Sequence, residues 1–422
     1  MKKVLVITYY WPPAGGPGVQ RWLKFVKYLP DFGVEPLVYI PQNPNYPIVD
    51  PKLMEEVPQG VRIIKHPIVE PYAWASLWSK KKVGTLSSGI IQEKNPSFME
   101  RCLLWIRGNL FIPDARKYWV RPSIKYLSKI IEEEGIRTLI STGPPHSLHL
   151  IGLGLKKRHD IQWIADFRDP WTSIGYHKNL RLTARAQRKH ASLEGEVLRS
   201  ADKVVVTSGT TKEEFRALTD RPIKVITNGF EGEAKSQVLD REFTISHIGS
   251  LSNGRNPLGL WKAIAELREE NRAFAERVKI RLAGLVGEEV LQSIADHKLE
   301  PLTERLGYLP HERVSGLQGG SQVLLLVEID SIETRGIIPG KLFEYLNARR
   351  PILAIGPKEW EAGSLVEETG AGVFLGHGEV EALKAVLLEW FTAYQRDALH
   401  SDARGIEKFH RRALTESLAN FI

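Results

Sequence analysis

Two loops in the second half of the chain combine cations with glycines in a way that suits a phosphate-bearing ligand. In "HIGSLSNGRNPLGL", Gly249 and Arg255 follow an apolar run and precede a helical pattern. An arginine beside a helix N-terminus is a candidate diphosphate site, because backbone N–H dipoles and the guanidinium both face the anion. In "SIETRGIIPGKLFEYLNARRPILAIG", Lys341 opens a helix and Glu344 lies one turn later on the same face. We expect Lys341 to hold a phosphate and Glu344 a pair of ribose hydroxyls; the alternative is an ordinary capped helix with a solvated pair.

A glycine-rich loop stands near the start of the chain. In "TYYWPPAGGPGVQRWLKF", Gly15, Gly16 and Gly18 lie between an apolar run and an amphipathic pattern. Such glycines let backbone N–H groups approach an oxygen-rich ligand at a helix N-terminus. The loop matches neither the dinucleotide fingerprint G-x-G-x-x-G nor the phosphate loop G-x-x-x-x-G-K-[ST]. We interpret it as a ligand loop; the alternative is a plain turn.

Two more loops of the first half carry groups that can transfer protons. His146 follows one predicted strand in "ISTGPPHSLHLIG", and Arg168 and Asp169 follow the next in "WIADFRDPWTS". Because adjacent strand ends of a parallel sheet converge, we expect these three residues to lie close together, and they are our candidate catalytic residues. They could orient the hydroxyl groups of a substrate that accepts a transferred group, and receive a proton from one of them. Two alternatives stay open: an ion-pair cluster of Arg168 with Asp166 and Asp169, and a packing role for His146.

The elements that position these loops alternate between short Val-, Ile- and Leu-rich runs and helical patterns, which is typical of strand-helix units on a parallel sheet. We predict two Rossmann-like doubly wound domains that face a cleft. The boundaries are residues 1–230 for the first domain, 231–401 for the second, and 402–422 for a closing helix that returns to the first. The predicted strands are Lys3–Thr8, Glu35–Ile40, Arg62–Lys65, Arg137–Ser141, Gln162–Ala165, Lys203–Thr207, Lys224–Thr227, Thr244–Ile248, Lys279–Ala283, Thr303–Leu306, Val323–Val327 and Pro351–Ile355.

Composition excludes several protein classes. With 422 residues, 42% of them hydrophobic, the chain can bury a large core. One cysteine, Cys102, excludes an internal disulfide framework and a cysteine-rich zinc site. No stretch reaches the roughly 18 apolar residues of a spanning helix, and the apolar run Val4–Ile7 is too short for a signal peptide. We therefore predict a cytoplasmic protein.

The charge of the chain is unevenly placed. Residues 1–200 carry 30 Lys and Arg against 17 Asp and Glu, although the whole chain has a net charge of only +8. Within this half, residues 71–121 combine tryptophans with basic residues. The tryptophans are Trp74, Trp78, Trp105 and Trp119, and the basic residues include Lys80, Lys81, Lys82, Arg101, Arg107, Arg116, Lys117 and Arg121. Tryptophan beside basic residues is typical of a surface that contacts anionic lipid head groups, so we predict peripheral association with the inner face of the cell membrane. The alternatives are an inward-packed helical hairpin and a merely solvated basic surface; no nucleic-acid-binding motif accompanies the tryptophans.

Six motifs in order along the chain resemble those of the family-four (group 1) type of GT-B glycosyltransferases. They are "GGPGVQR", "DFRDPW", "NGF", "GSLSNGRNP", "GYLPHERV" and "PGKLFEYLNARRPILAIG", which together span nearly the whole chain. The resemblance implies transfer of a hexose from a nucleoside diphosphate sugar, with no separate cofactor and no essential bound metal. It further implies that the anomeric configuration is retained and that the acceptor is a lipid-linked glycan or polysaccharide, as in exopolysaccharide or lipopolysaccharide synthesis.

The resemblance also assigns residues to the donor. Arg255 and Lys341 match the family's diphosphate-binding pair, Glu344 matches its ribose-binding carboxylate, and the Gly15–Gly18 loop faces the diphosphate or the acceptor. This chain departs from the family at the carboxylate that faces the sugar. The family often has a second glutamate eight positions before the one that matches Glu344, but this chain has Gly336 there, so our candidate for the sugar-facing carboxylate is Glu333.

Two other functions share this architecture. A nucleotide-sugar epimerase would need only one substrate and would have no use for the Trp-rich basic insert. A non-catalytic relative would bind nucleotide sugars without transferring them.

Overall fold

The computed structural model of the chain describes residues 1–70, 98–178, 180–233, 237–309 and 311–422. These residues form two compact units, of which the first comprises Met1–Asn228 with Arg411–Ile422 and the second Gly229–His410. The tryptophans and lysines predicted as a membrane surface at 71–97 lie outside the described residues. Among the described helices, none is long and apolar enough to cross a membrane.

The first unit is built on a parallel sheet of seven strands in the order β3-β2-β1-β4-β5-β6-β7. The order reverses between β1 and β4, and ligands of such sheets bind at this point, beyond the carboxyl ends of the strands. Strand β1 is continuously buried from Val4 to Ile7 because helices cover both faces of the sheet. The strands are β1 Lys2–Ile7, β2 Val34–Pro41, β3 Arg62–His66, β4 Thr138–Gly143, β5 Gln162–Phe167, β6 Lys203–Val206 and β7 Ile223–Val225.

The helices of the first unit place apolar side chains at helical spacing against this sheet. The first of them buries Val19, Trp22, Leu23 and Val26 on one face. The α-helices are Pro17–Tyr28, Phe98–Leu110, Lys117–Glu134, Ser147–Lys156, Gly175–Lys178, Ala184–Ser200, Gly209–Arg216 and Arg411–Ala419, and the 3-10 helices are Leu29–Phe32 and Pro51–Met54.

The second unit repeats the design with six parallel strands in the order β10-β9-β8-β11-β12-β13. The strands are β8 Phe243–Ile248, β9 Val278–Ala283, β10 Thr303–Gly307, β11 Val323–Val327, β12 Ile352–Gly356 and β13 Gly372–Gly376. The α-helices are Leu258–Glu270, Arg272–Arg277, Glu288–Asp296, His311–Gly320, Lys341–Ala348, Glu361–Glu368 and Val380–Gln395, and the 3-10 helices are Asn253–Arg255, Glu300–Leu302, Ile332–Thr334 and Ile406–Phe409.

The predicted fold class, two doubly wound parallel-sheet units, is confirmed. Each predicted strand is present, and the structure adds β13, which the sequence did not predict. Glycines at both ends of "GVFLG" are typical of turns, but Gly372 is needed because a Cβ there would lie 1.9 Å from the Ile352 carbonyl oxygen. The closing helix begins at Arg411, and residues 402–410 belong to the second unit rather than to the returning segment.

Candidate functional site

In the second unit, the two predicted diphosphate-binding cations lie at the carboxyl end of β8. Gly249 follows this strand with a φ of +118°. A Cβ built on Gly249 would lie only 2.7 Å from Nζ of Lys341, so the ammonium group occupies the space that a side chain at this position would need. Burial, with a smaller contribution from the nearby positive charge of Arg255, lowers the pKa of Lys341 to about 8. The structure thus brings Gly249, Arg255 and Lys341 together.

A buried glutamate that the sequence analysis did not identify fixes the direction of Arg255. Glu328 is fully buried and accepts bonds from Nε of Arg255 at 2.9 Å and from Nη2 at 3.0 Å, while its Oε1 also accepts the Ile329 N–H at 2.9 Å. This bidentate pair leaves the Nη1 amino group of Arg255 outside the ion pair. Glu328 could have been suspected, because it follows the apolar strand β11 at the ligand-binding edge of the sheet.

Glu344 is held in place by a side chain of a neighbouring helix. The amide of Gln318 donates to Oε2 of Glu344 at 3.0 Å, and the next residue, Tyr345, is buried with its hydroxyl accepting the N–H of Ile248 at 2.9 Å. Glu344 and Lys341 share the first turn of the Lys341–Ala348 helix, as predicted. Glu333, our candidate for the sugar-facing carboxylate, lies in the 3-10 turn after β11.

In the first unit, the three candidate loops follow β1, β4 and β5, which are neighbours in the sheet. Gly18 is required by a close approach, since a Cβ there would lie 2.2 Å from Nη1 of Arg168. Gly16 adopts a φ of +95° with open space around its Cα, whereas Gly15 packs against Ile48 and donates to its carbonyl oxygen at 2.9 Å. Gly16 and Gly18 therefore shape the loop, and Gly15 anchors it.

Arg168 spans the ends of two strands. Its backbone N–H and its Nε both donate to the Gly143 carbonyl oxygen, at 2.9 and 3.3 Å, and Nη2 donates to that of Pro144. The guanidinium also lies 5.6 Å from the ring centroid of Tyr10, which attracts the cation. Arg168 thus joins the glycine loop to the Gly143–His146 loop.

The aspartates on either side of Arg168 have different surroundings. Asp166 is buried and accepts bonds from Arg21 at 2.9 Å, Trp22 at 2.8 Å and Thr142 at 2.8 Å, which keeps its pKa low despite burial. Burial instead raises the pKa of Asp169, against the opposing effect of Arg168. The predicted ion-pair cluster of Arg168 with the two aspartates is wrong for Asp166, which pairs with Arg21 instead, and Asp169 has the environment of a proton acceptor.

His146 is buried and stacks on Trp171, with ring centroids 4.9 Å apart and an interplanar angle of 4°. Among the described residues, neither of its ring nitrogens has a hydrogen-bond partner. Burial, with a smaller effect of His149, holds the pKa of His146 well below its usual range, so the ring is neutral. A neutral imidazole near Arg168 can donate one hydrogen bond and accept another, which suits a catalytic role, whereas its stacking on Trp171 suits a packing role.

The loop that carries Asp169 is fixed by two residues that the sequence analysis did not identify. Glu194 is buried and accepts the N–H groups of Trp171 at 3.0 Å and Thr172 at 3.2 Å, together with the Thr172 hydroxyl. The indole N–H of Trp171 donates to Nδ1 of His190 at 3.0 Å. Both residues belong to the amphipathic helix Ala184–Ser200, and no sequence signal separates them from ordinary core positions.

Within the described residues, neither the cavity of the second unit nor a cluster of metal-binding side chains provides a further candidate site. A cavity of about 750 Å³ in the second unit is lined by residues that precede β8, β9 and β11, including Asp240, Arg277 and Gln322. It therefore opens at the amino edge of the sheet, away from Arg255 and Lys341. Among the described residues, no group of three or more His, Cys, Asp and Glu could hold a metal ion.

Residues 90–233 match the family model described as Glycosyltransferase Family 4. Among curated proteins, none matches the sequence. Three solved structures resemble the whole chain. They are a sucrose-phosphate synthase from Thermosynechococcus elongatus (TM-score 0.63, 12% identity, 100% of this chain and 98% of that one), Anabaena Alr3699/HepE in complex with UDP (0.62, 15%, 100% and 99%), and WaaG, a glycosyltransferase involved in lipopolysaccharide biosynthesis (0.55, 13%, 99% and 99%).

A structure of another class has the same fold. It is a putative UDP-N-acetylglucosamine 2-epimerase from Listeria monocytogenes (TM-score 0.54, 13% identity, 99% of this chain and 95% of that one). At these identities the likeness establishes the fold alone. The predicted resemblance to GT-B glycosyltransferases of the family-four type is confirmed by the fold and by the family match over residues 90–233.

Proposed function

We propose that this GT-B protein, which carries a glycosyltransferase domain, moves a sugar from a nucleoside diphosphate sugar to a glycan or lipid-linked acceptor in surface polysaccharide or lipopolysaccharide synthesis. The observation that carries the proposal is the pair Arg255 and Lys341, seated at the ligand-binding edge of the second sheet with Glu344 one turn further on. The HepE structure, which holds UDP, and the WaaG structure support the same class of substrates.

On the donor side, the two cations are suited to a leaving diphosphate. Breakage of the bond between the sugar carbon and the diphosphate oxygen leaves negative charge on the diphosphate, and fixed cations stabilise that charge. In the retaining reaction that we propose, the acceptor oxygen bonds to the same face of that carbon as the bond to the diphosphate breaks, and the proton of the acceptor hydroxyl passes to Asp169. Glu344 would accept hydrogen bonds from the ribose hydroxyls.

On the acceptor side, we assign Asp169, Arg168 and His146. The raised pKa of Asp169 makes its carboxylate a better base for an acceptor hydroxyl, and Arg168 holds the loop that carries it. The chemistry of the donor needs no metal or further cofactor in this proposal, because Arg255 and Lys341 supply the positive charge.

Titration calorimetry against UDP, GDP, ADP and dTDP tests the donor side. We expect one diphosphate to bind selectively, and both Arg255→Ala and Glu344→Ala to weaken it by roughly 1.5–3 kcal/mol each, the value of a charged hydrogen bond. The matched control is Arg272→Ala, since Arg272 is 93% exposed and pairs only with Glu276 one turn along its helix in the described structure. Equal binding by Arg255→Ala and Arg272→Ala would refute the assignment.

The epimerase is the second candidate, because the Listeria structure has the same fold. An epimerase converts its nucleotide sugar without any acceptor, whereas a transferase releases free diphosphate when it consumes the donor. Incubation with the donor alone, followed by chromatography of the nucleotides, distinguishes the two. An isomeric nucleotide sugar as the product would replace our proposal.

Peripheral membrane association is the third part of the proposal, and it rests on two helices of the first unit. The Phe98–Leu110 helix exposes Phe98, Trp105 and Leu110. Residues 101–131 carry seven basic residues, of which Arg116 is buried and paired with Glu70. The one acidic residue in this range is Asp114, whose carboxylate is occupied by the backbone N–H and hydroxyl of Ser147. Exposed apolar side chains within a basic segment suit an anionic lipid surface.

Vesicle co-sedimentation tests the membrane proposal. We expect binding to vesicles that contain phosphatidylglycerol, little binding to pure phosphatidylcholine, and a loss of binding in Trp105→Ser. Leu388→Ser is the control, because Leu388 in the second unit is exposed to the same extent as Trp105, 41%. Binding that ignores lipid charge and survives Trp105→Ser would count against this surface.

A further inference from the structure

His247 is the titratable residue of the buried strand β8, and the proposed function does not use it. It lies in β8, one residue before the end of the strand, and is 1% exposed. Burial of an imidazole carries a cost unless its nitrogens find partners, so the partners indicate why the residue is there.

Both ring nitrogens of His247 are engaged, in opposite senses. Nδ1 lies 3.0 Å from the carbonyl oxygen of Leu325 on the neighbouring strand β11, which requires Nδ1 to carry the proton. Nε2 lies 3.1 Å from Nζ of Lys341 and 3.4 Å from the carbonyl oxygen of Ser250. Because Nδ1 carries the proton of the neutral ring, Nε2 accepts a hydrogen bond from the ammonium group, which is the nearer of the two. Burial and the charge of Lys341 both hold the pKa of His247 well below its usual range, so the ring stays neutral and keeps its acceptor.

We propose that His247 is a positioning residue for the donor, which acts by directing and stabilising the ammonium group of Lys341. The inference rests on the proposed function, since Lys341 is the cation meant to meet the diphosphate. One N–H of Lys341 points back to His247, and within the described part of the chain the other two make no hydrogen bond and are available to a ligand.

The surroundings of Lys341 explain why it needs such a partner. A lysine side chain has four rotatable bonds and many rotamers, so without a directional partner its ammonium group would rarely face the ligand. Gly249 leaves the space in which Nζ sits, and His247 supplies the directional bond. The charges around Lys341 are Arg255, which disfavours the ammonium form, and Glu328 and Glu344, which favour it.

Two substitutions separate the roles of the two ring nitrogens. In His247→Gln, the amide oxygen reaches the position of Nε2 and can still accept from Lys341. In His247→Asn, the amide nitrogen replaces Nδ1 as the donor to Leu325, but Lys341 loses its acceptor. We expect the dissociation constant for the diphosphate to rise about tenfold in His247→Asn and to stay near the parent value in His247→Gln.

A double-mutant cycle shows whether His247 acts through Lys341. We expect His247→Asn to have no further effect on diphosphate binding once Lys341→Met is present, because the group that it directs is gone. Additive losses, or equal losses in Asn and Gln, would overturn the proposal and assign His247 to packing. Thermal melting of each variant checks that it is folded.

A second measurement does not depend on nucleotide binding. Acetic anhydride modifies only the neutral amine, so the pH dependence of Lys341 acetylation, followed by mass spectrometry, reports its pKa. Loss of the acceptor removes a bond to the charged form, so Lys341 should have a lower pKa and react faster in His247→Asn than in the parent or in His247→Gln. If the parent binds none of the four diphosphates, the proposed function fails, while unchanged acetylation in His247→Asn would refute the positioning role by itself.

Discussion

At the scale of single residues, the charge state of Lys341 should control nucleotide binding. Its pKa of about 8 means that the free protein loses the ammonium charge as the pH rises through that value. A bound diphosphate favours the charged form, so affinity is greatest below about pH 8 and falls above it. Lys341→Arg should hold its affinity to a higher pH, because the guanidinium does not deprotonate. Calorimetry between pH 7 and 9.5 checks this, and parallel curves for parent and variant would contradict it.

Asp169 offers a different test, of turnover rather than of binding. Asp169→Asn removes the proposed proton acceptor and leaves the donor-binding unit untouched. We expect the rate of sugar transfer, or of donor hydrolysis with water in place of the acceptor, to fall about 100-fold or more while the diphosphate affinity is unchanged. Asp160→Asn, on an exposed carboxylate of the same unit, is the control. An Asp169→Asn protein as active as the parent would remove the catalytic assignment.

At the scale of elements, the edge strand β13 depends on a single close approach. A methyl group at Gly372 would collide with the backbone of Ile352 on β12. We expect Gly372→Ala to lower the free energy of unfolding by about 1–3 kcal/mol, as overpacking does. Gly378→Ala is the matched control, because a Cβ there meets nothing within 4 Å. Urea denaturation compares the two, and equal stabilities would contradict this account of β13.

The helices around the candidate sites show how elements fix what residues can do. Glu194 and His190, one turn apart on the Ala184–Ser200 helix, hold the loop of Asp169 through the backbone and ring of Trp171. Gln318 holds Glu344 in the same way from the His311–Gly320 helix. These contacts orient the groups before any ligand arrives, which reduces the entropy lost on binding.

At the scale of the whole molecule, the closing helix belongs to the fold of the first unit. Leu414, Leu418 and Ile422 are buried in a cluster with Trp22 and Phe25, so the last residues of the chain complete the core formed by the first helix. We expect Leu418→Ala to cost about 2–5 kcal/mol, whereas Glu416→Ala, at an exposed position of the same helix, should be close to neutral. Differential scanning calorimetry should show a loss of stability in Leu418→Ala, and a normal melting profile would contradict the packing.

The sequence by itself determined the two-unit α/β architecture and the loops that carry the candidate site. This was possible because buried parallel strands are continuous apolar runs and the glycine and proline loops between them are equally local signals. Gly249, Arg255, Lys341 and Glu344 could be named from their positions after a strand or at the start of a helix.

Only the tertiary structure decided what those residues contact. Glu328 is 73 residues from Arg255 and His247 is 94 residues from Lys341, so no local pattern links them. The same holds for the pairing of Asp166 with Arg21 in place of Arg168, and for β13, whose glycines are explained by the backbone of another strand. Contacts between distant segments follow from how the sheets and helices pack, and that packing depends on the whole chain at once.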